Sequence, residues 1–225
     1  MNIIKESIFL KNFIDTDGNV DYKKMEQEKG LMDLFDQIET MDISSFNRTE
    51  LKAFWLNAYN ISVIKKVLEK LRKKPNWNGN VSIIERFLFF FIDKVKVAKN
   101  SMTLNHMESV YIRKQFNDPR IHFAINCGSA SCPILPSSLF HPESVENILD
   151  ILARNFINDH SQVDYESETD TLYLNPIFKW YSKDFKIYVG IRAFIAKYWE
   201  GDVEKLKNAK IKYLEYKWNL NGTKK

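Results

Sequence analysis

The sequence contains little glycine and proline, with 7 and 6 residues respectively among 225. This share is roughly half of the usual one, which excludes a collagen-like repeat and argues against a disordered or loop-dominated chain. Long hydrophobic runs are also missing. The longest apolar run covers residues 87–92, far short of the about 18 residues that a membrane-spanning helix needs. The chain is therefore expected to fold as a globular domain with no membrane span.

Neither sign of charge dominates, because the chain has 33 basic and 29 acidic residues and a net charge of only +4. Much of the excess lies in residues 65–74 and at the end of the chain. This distribution fits a solvated helix end and tail, so no nucleic-acid partner is expected. Residues 1–18 lack the pattern of a signal peptide. The expected location is the cytoplasm, with export left open because a leader could precede this sequence.

Cysteine is limited to Cys127 and Cys132, too few for a disulfide scaffold. Their spacing is a poor match to a zinc site, so neither a metal nor a cofactor is expected. Three interpretations stay open: a thiol nucleophile with a histidine base, a local disulfide, or two small buried side chains. The absence of a leader and of other cysteines predicts reduced thiols rather than a disulfide.

The first half of the sequence is predicted to be mainly helical. Asn47 and Glu50 have the spacing of a capping box, and apolar residues recur at helical spacing over residues 51–71. This helix should end by Lys74, because Pro75 disfavours helical geometry before it. Its wide apolar face predicts that it is the central core helix.

Later segments alternate between short strands and helices. Ser82 and Asn105 are predicted to cap two further helices. Strands are predicted at residues 94–98, turning back through 99–101, and at 121–126, 163–165, 171–174 and 211–216, with helices at 143–158, 188–199 and 203–207. The expected fold class is therefore α+β, mainly helical with a small antiparallel sheet. Residues 25–220 are predicted to form a single domain, with an N-terminal extension at 1–24 and a polar tail at 221–225.

The densest group of candidate site residues lies in the sequence DPRIHFAINCGSASCP, residues 118–133. In a strand, His122 and Asn126 would share one face. An extended stretch would also put the Cα atoms of His122 and Cys127 about 16 Å apart. His122 would then serve Cys132 only if the following loop folds back, and Cys127 would need a base from elsewhere.

The loop between the cysteines consists of the small residues 128–131, which include Gly128 and Ser131. Backbone N–H groups in such a loop can converge on an oxyanion. Asn57 and Asn60 interrupt an otherwise apolar helix, and buried amides need partners. They are expected either to tie the helix to a neighbouring loop or to orient a catalytic group or an oxyanion.

Two more segments offer charged side chains. In LNHMESVYIR, His106 is a candidate base or a solvated residue of the first helical turn, and Glu108 is a candidate orienting carboxylate. In IFKWYSKDF, Asp184 is a carboxylate without an assigned role.

Four segments in order, AFWLNAYN, LNHMESVYIR, DPRIHFAINCGSASCP and IFKWYSKDF, resemble the motifs of the domain of unknown function 547 family. The resemblance covers roughly residues 25–220 and includes a closing strand near its end. A link of this family to papain-like and transglutaminase-like cysteine enzymes implies an α+β fold and a thiol at Cys127 or Cys132. The family usually has Ile-Glu-His where this chain has Met107-Glu108-Ser109. His106, one turn earlier, would have to replace that histidine.

Two functions are expected. In a cysteine-dependent amide hydrolase or acyltransferase, Cys127 would be the nucleophile, with His106 or His122 as base and Glu108 orienting it. Asn57 or Asn60 and the N–H groups of residues 128–131 would hold the oxyanion. Alternatively, the same fold is a non-catalytic binding module. The ligand would be a small molecule or a peptide, in a cleft where the cysteine loop meets the helices of Glu108 and Asn57.

Overall fold

The computed structural model describes Ile4 and residues 10–222 of the chain. Its α-helices are α1 Tyr22–Glu26, α2 Gly30–Thr40, α3 Arg48–Lys73, α4 Ile83–Phe87, α5 Leu104–His106, α6 Val145–Ile157, α7 Ile177–Trp180, α8 Ile191–Tyr198 and α9 Val203–Leu206. Its strands are β1 Lys94–Val97, β2 Asn100–Thr103, β3 Val163–Glu166, β4 Thr171–Leu174 and β5 Lys210–Tyr213. These elements confirm the predicted α+β class.

Helix α3 is the longest described element and the centre of the fold. Its capping box is formed as predicted, because the Asn47 side chain accepts hydrogen bonds from the backbone of Thr49 and Glu50 while the Glu50 carboxylate accepts one from the Asn47 N–H. Residues 52–64 are buried on every face, as expected for a helix surrounded by other elements. The helix ends at Lys73, where Pro75 stops it.

Two small sheets flank the helices. Strands β1 and β2 form the predicted hairpin, and Ala98 and Lys99 have φ values of 48° and 64° at its turn. Strand β4 pairs with β3 in the antiparallel direction and with β5 in the parallel direction. This second sheet is therefore mixed rather than purely antiparallel, because helices α7 to α9 carry the chain back before β5 begins.

The predicted strand at 121–126 is wrong. Residues Pro119–Phe123 form a 3₁₀-helix, which Asp118 caps by accepting a hydrogen bond from the backbone N–H of Arg120. Proline at the first helical position and an aspartate cap start a helical turn, and a short apolar segment does not distinguish strand from helix. The cap assigned to Asn105 is also wrong, because Thr103 caps α5, which continues into π-helical residues Met107–Lys114.

The Pro119–Phe123 turn lies between two groups of buried side chains. Ile121 belongs to the group that surrounds α3, whereas Phe123 belongs to the group beneath the mixed sheet, where it contacts Phe178 and Phe194. This position places His122 at the boundary between the two apolar groups.

Both ends of the described chain contact the domain. Phe13 and Val20, within the segment predicted as an extension, are buried. The Tyr22 hydroxyl donates a hydrogen bond of 2.8 Å to the side chain of Asn221, a residue of the predicted tail, and Val20 pairs with Gly222. Among the described residues, no helix is long and apolar enough to cross a membrane.

Candidate functional site

A cavity of about 260 Å³ opens between α3, the Met107–Lys114 segment, the cysteine loop and the C-terminal residues. Its walls are mainly aromatic and include Tyr59, Phe90, Trp180, Tyr181, Tyr216 and Trp218. Of the site residues predicted from the sequence, Glu108, His122, Cys127 and Cys132 line this cavity. The other predicted site residues are not among its lining residues: His106, Asn57, Asn60, Gly128, Ser131 and Asp184.

The two cysteines form a disulfide, so the prediction of reduced thiols is wrong. Gly128 has a φ of 80°, and the Cys132 N–H donates to the Ser129 carbonyl at 3.0 Å. This tight turn brings the two cysteine Cα atoms to 6.2 Å, within the range that a disulfide spans. The disulfide depends on the local geometry of this loop. The absence of a leader and the small number of cysteines say nothing about that geometry, so they could not predict the bond.

The loop between the cysteines is held by the C-terminal segment. The Ala130 N–H donates to the Asn219 carbonyl at 2.8 Å, and the Ser131 N–H donates to the Lys217 carbonyl at 3.3 Å. The Gly128 N–H donates to the Asn126 side chain at 2.7 Å. These three N–H groups, which were predicted to hold an oxyanion, therefore already have partners within the protein.

The amides of Asn57 and Asn60 connect α3 to neighbouring chain segments. Asn57 accepts from the Phe140 N–H and donates to the Phe140 carbonyl, both at 2.8 Å. Asn60 donates to the Ala124 carbonyl at 2.9 Å and accepts from the Asn126 N–H at 2.8 Å. Asn60 thus fixes the backbone that leads into the cysteine loop. Of the two roles expected from the sequence, this contact fits the tie between the helix and a neighbouring loop.

His122 is buried and paired with Asp184. Its Nε2 lies 2.8 Å from Asp184 Oδ2, and its ring stacks on Tyr181 with centroids 4.0 Å apart. Arg113 donates two hydrogen bonds to the same carboxylate, at 2.7 and 3.1 Å. Burial alone would raise the pKa of Asp184, but the hydrogen bonds from His122 and Arg113 outweigh it and hold that pKa well below its usual range.

Glu108 faces the cavity among tyrosine side chains. The Tyr59 hydroxyl lies 3.4 Å from Glu108 Oε2, and Tyr181 also hydrogen-bonds this carboxylate. Burial, followed by the negative charge of Glu108, raises the pKa of Tyr59 and of Tyr181 well above the usual value. Both tyrosines therefore remain neutral hydrogen-bond donors.

The residues around Glu108 do not place a second histidine in the cavity. The His106 side chain is exposed, with its ring edge-on to Tyr111 at a centroid distance of 5.6 Å. Ser109 donates its hydroxyl to the Asn105 carbonyl at 2.7 Å. Ser109 thus directs its hydroxyl to its own helix rather than into the cavity.

The C-terminal segment contributes aromatic side chains to the cavity that the sequence motifs did not predict. The Tyr216 hydroxyl lies 3.2 Å from the sulfur atoms of both Cys127 and Cys132. The Tyr216 ring packs against Trp218 and Trp180, with centroids 4.6 and 4.8 Å away. The alternation of aromatic residues at 216 and 218 is the available signal, but by itself it indicates no more than a closing strand.

No group of three or more histidine, cysteine, aspartate or glutamate side chains within the described ranges could hold a metal ion. The polar groups that line the cavity include the Glu108 carboxylate, the His122 imidazole and several phenols. A site of this composition can bind a group against its aromatic walls and orient it by hydrogen bonds.

A family model described as a protein of unknown function, DUF547, matches residues 43–157. The match spans 115 of 225 residues, and the chain belongs to this family. No curated protein and no solved structure gives a significant match. The matched region contains Glu108, His122 and both cysteines, whereas Asp184 and the Trp180, Tyr216 and Trp218 rings follow it in the sequence.

Proposed function

We propose that this domain is a binding module whose ligand occupies the aromatic cavity. The observation that carries the proposal is the composition of the cavity, in which Tyr59, Trp180, Tyr216 and Trp218 surround the single carboxylate that lines it, Glu108. Apolar walls with a few convergent polar groups are typical of sites for small ligands. Its volume of about 260 Å³ lies just below the usual range of such sites, about 300–1,000 Å³, so the bound group must be compact.

Two features favour binding over thiol catalysis. Cys127 and Cys132 are joined, so neither offers a free thiol. The N–H groups of Gly128, Ala130 and Ser131 have partners within the protein. A thiol nucleophile needs an available thiolate and donors for the developing oxyanion. In the disulfide form of the loop, the two cysteines supply no thiolate and these three N–H groups are not free to donate to an oxyanion.

Ligand-observed NMR with a library of compact neutral, cationic and anionic fragments tests the proposal. Fragments should bind the wild-type chain, and Trp180→Ala should weaken them, because this residue lines the cavity. Trp180 is 47% exposed, so its removal is expected to leave the fold intact. Tyr213→Ala, which removes a 38% exposed ring outside the cavity, is the matched control. Failure of all three fragment classes to bind contradicts the proposal.

A cysteine-dependent hydrolase or acyltransferase is the second candidate, favoured by the pairing of His122 with Asp184 beside the cysteines. A dithiol would first reduce the disulfide and itself become oxidised. The Cys127 thiol would then transfer its proton to His122 as its sulfur attacks a substrate carbonyl. The leaving amine would take that proton, and water would hydrolyse the thioester.

Alkylation kinetics test this second candidate. After reduction, Cys127 should react with iodoacetamide near pH 6 much faster than glutathione does, because a catalytic thiol has a lowered pKa. A rate equal to that of glutathione would contradict a catalytic role for this thiol.

A further inference from the structure

An exposed apolar surface lies on residues 81–92, which include helix α4 and the π-helical turn Leu88–Ile92. The described part of the chain has sixteen large apolar side chains that are exposed, and seven of them fall within this segment. None of the side chains of α4 is buried. Single exposed apolar residues are common on protein surfaces, whereas a contiguous group is typical of a surface that another molecule covers.

One side of this segment is exposed and the other is fixed to the domain. Phe89 is fully buried, and the Lys66 ammonium donates hydrogen bonds to the carbonyls of Phe89 and Asp93 at 2.6 and 3.0 Å. These contacts hold the inner side in place. The exposed residues recur at the spacing of a helix face, which we call the apolar face: Ile83, Ile84, Phe87, Leu88 and Phe91.

Basic side chains lie beside the apolar face. Lys70 Nζ is 3.6 Å from the carboxylate of Asp93, which directly follows the π-helical turn. Hydrogen bonds from Ser82 lower the pKa of Glu85, and the nearby charges of Lys74 and Lys70 lower it further. Both lysines, at the C-terminal end of α3, are therefore close to the segment that carries the apolar face.

The charge balance of this region is positive when its acidic groups and ion pairs are included. Residues 65–96 contain nine basic and three acidic side chains and no histidine. Glu26 and Glu39 pair with two of the basic groups, so nine positive charges meet five negative ones and leave +4. Arg86 lies over the Trp218 ring at 4.6 Å, a contact that leaves its charge unneutralised. Without the buried Lys66, whose pKa burial lowers to about 8, the balance is still positive.

The combination of apolar and basic groups favours one kind of partner. A second copy of the chain would bring another positive region to the same contact, whereas an anionic surface neutralises it. Helical segments with Phe, Ile and Leu on one face and Lys and Arg beside it lie in the interface of anionic bilayers without spanning them. We propose that the apolar face docks this domain on an anionic lipid bilayer, with Lys70 and Lys74 contacting the headgroups.

Vesicle flotation tests this docking, which goes beyond the proposed cavity ligand and does not depend on it. Vesicles of phosphatidylcholine alone are compared with vesicles that contain about 30% phosphatidylglycerol. The chain should partition at least about tenfold more strongly to the anionic vesicles. This preference should fall as the salt concentration rises from about 0.1 M to about 1 M, because the Debye length shrinks from about 10 Å to about 3 Å.

A double substitution tests the apolar face. Ile83→Ser with Ile84→Ser should lower partitioning to anionic vesicles at least about tenfold, because two side chains that enter the interface are lost. The two isoleucines are 76% and 72% exposed, so the fold should persist, which circular dichroism checks. Met32→Ser with Ile151→Ser removes exposed apolar side chains from α2 and α6. This matched control should bind like the wild type.

A second pair of substitutions tests the basic groups separately. Lys70→Gln with Lys74→Gln should lower partitioning to anionic vesicles by about tenfold or more, because each lysine near the surface contributes to the attraction. Lys205→Gln with Lys212→Gln removes the same charge from exposed positions elsewhere and should have little effect. An equal loss in the two pairs would mean that only the net charge matters and would overturn the proposal.

Three further outcomes would overturn it. The chain could fail to float with anionic vesicles, it could bind both vesicle types equally, or its binding could survive Ile83→Ser with Ile84→Ser. A dimer in sedimentation velocity that dissociates on the same double substitution, without vesicle binding, would assign the apolar face to a second copy. The substituted residues do not line the cavity, so each of these outcomes leaves the fragment-binding test of the proposed function unaffected.

Discussion

His122 Nε2 lies 2.8 Å from Asp184 Oδ2, although the two residues are 62 positions apart in the sequence. The pair joins the Pro119–Phe123 turn to the segment that follows α7, and Arg113 adds the Met107–Lys114 segment to the same carboxylate. Three elements that surround the cavity are thus connected through one side chain. The ionisation of Asp184 should therefore affect both stability and cavity geometry.

The first prediction concerns acid stability. The pKa of Asp184 is lower in the folded chain than its unfolded value of about 4. Its stabilising contribution is therefore fully present above that value and is lost as the pH falls through the lower, folded-state pKa. Urea unfolding between pH 6 and pH 2 should show this loss in the wild type. The Asp184→Asn variant should be less stable than the wild type near neutral pH and should lose less stability on acidification. Identical dependence of the free energy of unfolding on pH in the two proteins would contradict this contribution of Asp184.

The second prediction concerns the cysteines. Thiol titration in denaturant should find no free thiols without reductant and two after reduction, because the structure joins Cys127 and Cys132. Reduction should lower the free energy of unfolding by about 2 kcal/mol, the contribution expected for so short a loop. Two free thiols in freshly purified protein, alkylated before any exposure to air, would contradict the disulfide.

The third prediction concerns the core of α3. Trp55 is 2% exposed and stacks on Tyr111 with centroids 4.4 Å apart. Trp55→Ala should lower the free energy of unfolding by about 3–5 kcal/mol, because it leaves a large cavity in a packed core. Trp180→Ala removes the same atoms from a half-exposed position and serves as the control. A loss below about 1 kcal/mol at Trp55 would show that this helix is peripheral.

Local signals in the sequence correctly predicted several elements. The Asn47 and Glu50 capping box, the Ser82 cap and the stop before Pro75 each depend on residues within a few positions of one another. Such short-range chemistry is readable without a structure. At residues 121–126 two local signals conflict. The alternation of apolar and polar residues predicts a strand, but the helix start at Asp118 and Pro119 determines the structure.

The candidate site depends on contacts that the sequence does not encode locally. His122 and Asp184 were both named, but nothing in the spacing showed that they pair. Tyr216 reaches the cysteine sulfurs only because the C-terminal segment runs alongside the loop, with hydrogen bonds from Ala130 and Ser131 to its carbonyls. Packing of segments that are distant in the sequence produces both contacts. Sequence motifs could therefore identify candidate residues but not the cavity in which they meet.

The last prediction separates stability from cavity geometry by comparing Asn60→Ala with Asn57→Ala. Each substitution removes two buried hydrogen bonds from α3 to a backbone N–H and carbonyl. Each unpaired buried group costs about 1–3 kcal/mol, so both variants should lose about 2–6 kcal/mol in urea unfolding.

Only the Asn60 partners, Ala124 and Asn126, lie beside His122 and the cysteine loop. Asn60→Ala should therefore shift the backbone NMR signals of residues 122–132 and weaken fragment binding, whereas Asn57→Ala should leave both close to wild type because Phe140 lies outside the cavity lining. Equal perturbation of the cavity by the two variants would mean that its geometry follows global stability. A selective effect of Asn60→Ala would identify this amide as the group that positions the loop.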